Sequence, residues 1–263
     1  VNITSKFSVF DYFHSGTSSL SEYSVEVGNE IEKYTSKLSS YGCVICEGLV
    51  ELITKTNIQS SLAPFIKNLI HSYDITDDSF GDIDKELLNI TRMPRIGNGK
   101  HNVHFDPQFS NQHFQLQLLA EKANFHKILS KYMDKECTLR ETGISITRPI
   151  MTFGANALSV AGEGMEWHSD GSKGEATVLM SMKDISPSMG CLHVVPSSHL
   201  DYIDGVGHEE ETLAANKLLL NEKKFDYAYR AFQPILIDAR TLHSVSNNCS
   251  DDWRVVIWFI FDC

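Results

Sequence analysis

From about residue 139 onward the apolar residues stop recurring at helical spacing and begin to alternate, and this switch limits the fold more than any other feature. Eight segments carry strand-like patterning: 144–153, 165–170, 176–182, 191–195, 228–232, 235–238, 242–246 and 255–261. Gly, Pro, Asn and Ser clusters separate most of them, as turns require. Many short strands with turn signals predict a jelly-roll barrel or sandwich.

The earlier residues, up to about 133, read as mostly helical. Residues 31–38 form a short amphipathic piece. Residues 49–70 carry apolar side chains at helical spacing, with Pro64 as a break or a new start. The clearest helix spans 114–132, where Phe114, Leu118, Leu119, Phe125, Ile128, Leu129 and Tyr132 trace one broad apolar face. Residues 42–46 read as a short buried strand. The expected fold is mainly β with α additions, as a single domain over residues 1–263. In it, helical support in 1–138 covers a β core in 139–263.

Hydrophobic residues make up 42% and charged residues 22%, an ordinary balance for a globular protein. The formal net charge is −11 and no Lys/Arg-rich run relieves it, so no nucleic-acid partner is expected. No apolar run is long enough to span a bilayer, so no membrane partner is expected either. A small anionic ligand stays open, because one buried Arg outweighs a distant surface field. The N-terminus lacks a basic region followed by an apolar one, so no secretory signal is expected. A chain that opens on Val1 leaves a trimmed targeting segment open.

Six cysteines are scattered, at 43, 46, 137, 191, 249 and 263. Only Cys43 and Cys46 form a C-x-x-C. Without a second pair they read as packing residues rather than zinc ligands. Reduced thiols and an intracellular, cytoplasmic location are the expectation. In that setting the glycosylation triplets at Asn2, Asn89 and Asn248 read as chance. Oligomeric state is left open.

Chemistry concentrates in three places. His168-Ser169-Asp170 lies in a predicted strand, where alternate side chains share a face. His168 and Asp170 would then both point inward. His243 follows 75 residues later in another predicted strand. Two imidazoles and one carboxylate occupy one face of an octahedral iron(II) and leave three positions for other ligands. Imidazole also suits zinc and copper, so the residues alone do not fix the metal. Arg254, eleven residues after His243, opens the most apolar stretch of the chain. A buried Arg cannot shed its charge, and its fork of donors suits a carboxylate. A strand running back beside His243 would set it one co-substrate length from the metal. The bland alternative is a surface Arg paired with Asp251 or Asp252.

The sequence resembles the phytanoyl-CoA dioxygenase family of iron(II)/2-oxoglutarate oxygenases. The resemblance rests on Trp167-His168-Ser169-Asp170-Gly171 and on the segment from Gly190 to His199, which is similar to that family's G-x-L-x-x-x-P-G-S-H signature. It rests also on His243 through Arg254, and on Tyr41-Gly42-Cys43-Val44-Ile45 as an opening strand. Ser197 stands where Gly is usual.

The resemblance implies a double-stranded β-helix of the jelly-roll, cupin-like kind, with Fe(II), 2-oxoglutarate and O2. It implies His168, Asp170 and His243 as metal ligands and Arg254 as partner of the distal 2-oxoglutarate carboxylate. Many relatives place a hydroxyl two positions after the distal His. Here that position is Val245, with Asn156 as a candidate second contact. The implied reaction is hydroxylation of a small organic molecule with release of succinate and CO2. Related halogenases lack the carboxylate that Asp170 supplies, so hydroxylation is favoured over halogenation. Desaturation and ring formation stay open, as does the substrate.

Other readings compete. His104-Phe105-Asp106 is a rival H-x-D in a context that reads as loop, with no strand leading into it. His199 reads as structural at its turn, and Trp167 and Trp258 read as packing. Arg148, Arg230 and Arg240 either grip an anion or form surface ion pairs. At the level of the whole chain, the alternatives are a cupin-like metalloenzyme without 2-oxoglutarate and a non-catalytic barrel stabilised by metal.

Overall fold

The computed structural model describes residues 24–25, 31–75, 93–94, 100–105, 111–147, 167–171, 173–203, 224–246 and 248–263. In chain order they form strand β1 (Ser24–Val25), helix α1 (Ile31–Tyr41), β2 (Cys43–Cys46), α2 (Leu52–Ile75), β3 (Met93–Pro94), β4 (Lys100–His104), α3 (Asn111–Lys122) and α4 (Phe125–Met133). The strands β5 (Thr138–Thr147), β6 (Glu175–Met180), β7 (Leu192–Val194), β8 (Phe225–Tyr227), β9 (Ile235–Asp238), β10 (His243–Val245) and β11 (Arg254–Asp262) follow. One sheet has eight strands in the order β1-β2-β9-β6-β11-β5-β4-β3, and a second has three in the order β10-β7-β8. Every pairing except β1 with β2 is antiparallel.

Period-two alternation decides which way each strand residue faces. Along β11, Val255, Ile257, Phe259 and Phe261 join a buried cluster with Leu38 of α1, Leu62 of α2, Leu116 of α3 and Phe125 of α4. Phe125 and Phe259 meet edge to face, with centroids 5.6 Å apart, a geometry that adds about 0.5–1.5 kcal/mol beyond burial. Val256 joins a second cluster instead, with Leu192 and Val194 of β7 and Phe225 and Tyr227 of β8. β2 and β9 divide the same way. Val44, Cys46 and Leu236 face the helices, while Cys43, Ile45, Ile235 and Ile237 face the smaller sheet. The larger sheet is therefore covered by helices on one side and by the smaller sheet on the other. This matches the expectation of helices laid over a β core.

Several elements differ from the sequence reading. Helix α2 continues through Pro64 rather than breaking there. Proline frees the carbonyl four residues earlier. That carbonyl belongs to exposed Ser60, on the solvent side of the helix. Residues 114–132 are two helices, because Asn124 adopts the left-handed conformation (φ 55°) between α3 and α4. The break turns the two apolar stripes apart, which leaves Phe114 58% exposed while Phe125, Ile128 and Leu129 are buried. β4 lies inside the half read as helical. Its sequence, KHNVH, carries one apolar residue and so no strand signal. Pairing with the ten-residue β5 sets it in place. β8 falls ahead of the expected 228–232. There Phe232 takes φ 57°, which ends extended pairing, and Ala231 makes only an isolated bridge.

Cys137 and Cys263 form a disulfide, which corrects the expectation that all six thiols are reduced. Thr138 pairs with Asp262 at the end of the β5–β11 ladder, so their outer neighbours meet although 126 positions separate them. Cys43, Cys46 and Cys191 are free and buried. Asn248 is buried too, and its side-chain amide donates to the carbonyls of Thr147 and Asp252. Among the described residues no helix is long and apolar enough to cross a membrane.

Candidate metal centre

His243 begins β10, and its backbone exchanges two hydrogen bonds with that of His168, at 2.9 and 3.0 Å. The strand expected over 165–170 thus reduces, among the described residues, to a single antiparallel bridge. The bridge sets the two imidazoles side by side, with centroids 4.3 Å apart. Asp170 is fixed separately, its N–H donating to the carbonyl of Ala239 at 2.8 Å. Asp170 Oδ1 lies 3.6 Å from His168 Nε2 and 3.5 Å from His243 Nε2. One potential ligand atom from each residue lies within 4.8 Å of the other two. Donors about 2.1 Å from one ion sit roughly 3–3.5 Å apart at adjacent positions, so these atoms can face a common centre. Among the described residues no other group of His, Cys, Asp and Glu converges in this way.

Neighbouring groups aim the donors. His243 Nδ1 lies 3.0 Å from the Thr241 carbonyl. A carbonyl only accepts, so Nδ1 carries the hydrogen and Nε2 presents its lone pair towards Asp170. Thr177, on the inter-sheet face of β6, donates its hydroxyl to Asp170 Oδ2 at 3.1 Å and leaves Oδ1 to the imidazoles. Burial works to raise the Asp170 carboxyl. His243, His168 and the Thr177 hydroxyl outweigh it and hold the group well below the usual carboxylate range. The His243 side chain is 5% exposed and that of Asp170 35%, so the cluster opens on the Asp170 side.

The turn after β7 braces this cluster. The Val195 N–H donates to the Leu242 carbonyl, and the Leu242 N–H donates to the Ser198 hydroxyl. Ser197 stands in the left-handed region (φ 66°), a conformation that favours glycine. Its hydroxyl bonds the Ser40 carbonyl at 2.7 Å and ties the turn to the end of α1. Gly42 also has positive φ (+72°), and a side chain there would run into Thr241 and His199. His199 is buried beside the Ser39 carbonyl, as its structural reading requires. His193 points away from His243: it pairs with Ser244 in the register and bonds Asp226, which also holds Lys224.

Arg254 reaches the inter-sheet space by a route different from the expected one. β11 is not a neighbour of β10; it runs between β5 and β6 in the larger sheet. Alternation points Arg254 the same way as Val256, towards the smaller sheet. The residue is 4% exposed. Its Nη1 donates to the carbonyls of Ser246 and Met189 at 2.9 and 3.2 Å, and its Nη2 to the Thr147 hydroxyl at 3.1 Å. The surface-pair alternative fails, since Asp252 bonds Lys183 and Asp251 is exposed. No described carboxylate lies within ion-pair distance of Arg254. Burial lowers its pKa to about 10, partly opposed by Tyr229 and Cys191.

The remaining candidates separate. Asn156 and Arg148 lie outside the described residues. Arg230 is exposed, and Arg240 is committed to an ion pair with Asp238 at 2.7 Å. Contrary to the loop reading, β4 leads directly into His104, while Asp106 lies outside the described residues. Ser246, beside Val245, is engaged with the backbone of Cys191. Thr147 and Thr177 were missed by sequence reasoning. Both fall in or beside predicted strands, but only the cross-strand register reveals what they touch.

A scan against protein-family models finds no match, and a search of curated proteins finds none. Solved structures do match. AviO1 from Streptomyces viridochromogenes Tue57 is 14% identical, with TM-score 0.61, covering 90% of this chain and 96% of its own. SnoN, a non-heme α-ketoglutarate-dependent epimerase from nogalamycin biosynthesis, is 16% identical, with TM-score 0.63 and coverage of 88% and 82%. EctD from S. alaskensis, solved with 2-oxoglutarate and 5-hydroxyectoine, is 13% identical, with TM-score 0.61 and coverage of 92% and 79%. At these identities the likeness shows a shared fold.

Proposed function

We propose that this chain is an iron(II)- and 2-oxoglutarate-dependent dioxygenase that hydroxylates a small organic molecule, built on a double-stranded β-helix like that of the phytanoyl-CoA dioxygenase family. His168, Asp170 and His243 are the metal ligands in this reading, and Arg254 binds the distal carboxylate of 2-oxoglutarate. The observation that carries it is Arg254. Three of its N–H groups are used by protein acceptors, which leaves two of the five for a ligand. A buried cation without a counter-charge is unfavourable unless an anion joins it.

The donor set fits iron(II), and neighbours of the same fold are described with iron, with 2-oxoglutarate and with Fe3+ plus α-ketoglutarate. When bound, iron(II), 2-oxoglutarate and dioxygen supply the oxidation: one oxygen atom enters succinate, the other enters substrate, and CO2 leaves. The chain's own part is positioning. Thr241 fixes the His243 tautomer, Thr177 turns Asp170, and Arg254 orients the co-substrate along the inter-sheet space. The apolar cluster around Met189, Val256 and Tyr229 keeps water away from that end. Asp170 fills the position that a halide would need, which supports hydroxylation.

The test is succinate formation in air from purified protein, Fe(II) and 2-oxoglutarate without added substrate, against a His168→Ala control. Succinate above the control supports the proposal. No succinate, together with no 2-oxoglutarate binding under argon, contradicts it.

A further inference from the structure

We propose that the hydroxyl of Tyr229 is a second anchor for the distal carboxylate of 2-oxoglutarate, donating to the same group that Arg254 grips. This rests on the reading of the site given above.

Tyr229 is 3% exposed and follows β8 by two residues. Buried tyrosine hydroxyls usually find a partner. Tyr227 does, donating to the Gln233 carbonyl at 2.7 Å. The Tyr229 hydroxyl makes no hydrogen bond among the described residues, and its oxygen is not one of their fully enclosed unpartnered atoms, so it borders open space. The rest of the residue is fixed. Its carbonyl accepts from the Ile185 N–H at 2.8 Å, and its ring lies 4.9 Å from that of Tyr227. The unsatisfied group is therefore a single oxygen on a held ring.

That ring shares the inter-sheet cluster with Met189, Val256 and Val245. Each is linked to the surroundings of Arg254. The Met189 carbonyl accepts from it, Val256 is the next residue on the same face of β11, and Val245 precedes Ser246, whose carbonyl also accepts. The phenol is held in its neutral form chiefly by burial. The Arg254 cation opposes that effect, and Cys191 and the Asp170 carboxylate add to it. The hydroxyl thus feels both the guanidinium and the metal-side carboxylate. A dicarboxylate reaching from one to the other meets a neutral donor there, matched to an anionic acceptor. Val245 has no hydroxyl to offer, so Tyr229 supplies one from beyond β8, at the other edge of the same sheet.

The experiment titrates Fe(II)-loaded wild type and Tyr229→Phe with 2-oxoglutarate under argon, following the visible iron–ketoacid band. The substitution keeps the ring and removes an unpartnered oxygen, so the Tm of the variant without ligand is expected at or above the wild-type value. Its Kd for 2-oxoglutarate is expected to rise about tenfold or more. Tyr227→Phe is the control: its Tm falls, because a satisfied bond is lost, while its Kd stays at the wild-type value. A Tyr229→Phe Kd equal to wild type, with or without a lower Tm, assigns Tyr229 to packing and overturns the inference alone. Absence of the band in wild type overturns the reading of the whole site.

Discussion

Thr147 and Arg254 face each other across the β5–β11 pair, and Arg254 Nη2 donates to the Thr147 hydroxyl at 3.1 Å. The guanidinium is thus held at one edge, with its remaining donors directed by a planar fork that an ammonium lacks. Arg254→Lys keeps the charge and loses the fork. Loss of one charge-assisted bond of about 1.5–3 kcal/mol weakens 2-oxoglutarate binding roughly 10–100-fold. An anaerobic titration of the iron–ketoacid band measures this, and an unchanged Kd refutes the role of the fork.

Thr177 holds Asp170 Oδ2 and leaves Oδ1 to the two imidazoles. Residues that orient metal ligands typically contribute about 10–100-fold in metal affinity. Thr177→Val is expected to lose iron at that scale, measured by competition with a chelator, while circular dichroism stays that of wild type. Equal affinity means that the hydroxyl does not orient the carboxylate.

The Asp238 carboxylate is fully buried, paired with Arg240 at 2.7 Å and bonded by the Tyr132 hydroxyl at 2.7 Å. Burial alone would raise its pKa, but Arg240 and Tyr132 together lower it below the ordinary 3.8. A depressed folded-state pKa gives stability that is present above about pH 4 and is lost as the pH falls through the folded value. Arg240→Met strands the buried charge, for which removal of one partner typically costs about 3–5 kcal/mol. Urea unfolding at pH 7 should show that loss, and the gap from wild type should narrow below pH 4. A gap independent of pH would mean that the ion pair is not its source.

Cys137 and Cys263 close the outer end of the β5–β11 ladder. Cys137→Ser removes a link between positions 126 apart and is expected to lower stability by roughly 2–4 kcal/mol. Wild type under reductant should approach the variant in a denaturant titration. Coincident curves for oxidised wild type and variant would show that the ladder alone holds that end.

Much of the architecture was legible in local pattern. β9 was readable at both ends because an apolar run follows Pro234 and stops at the Ala239–Arg240 turn. The elements missed left no mark in the apolar pattern: β4 is held by β5, and the break at Asn124 comes from one left-handed residue, which the periodicity on either side does not reveal. At the site, His168, Asp170, His243 and Arg254 stood out by motif order. The neighbours of Arg254 did not, because it meets Thr147 through the β5–β11 register and the carbonyls of Met189 and Ser246 across the space between the sheets. Alternation gives the face of a strand residue, but not the partner across the gap.

The most direct measurement is an anaerobic mixture of the protein, Fe(II) and 2-oxoglutarate, scanned in the visible range beside His168→Ala. An iron–ketoacid absorption band that saturates with 2-oxoglutarate is expected in wild type and is expected to be absent from the variant. No band in wild type, or an equal band in both, would contradict it.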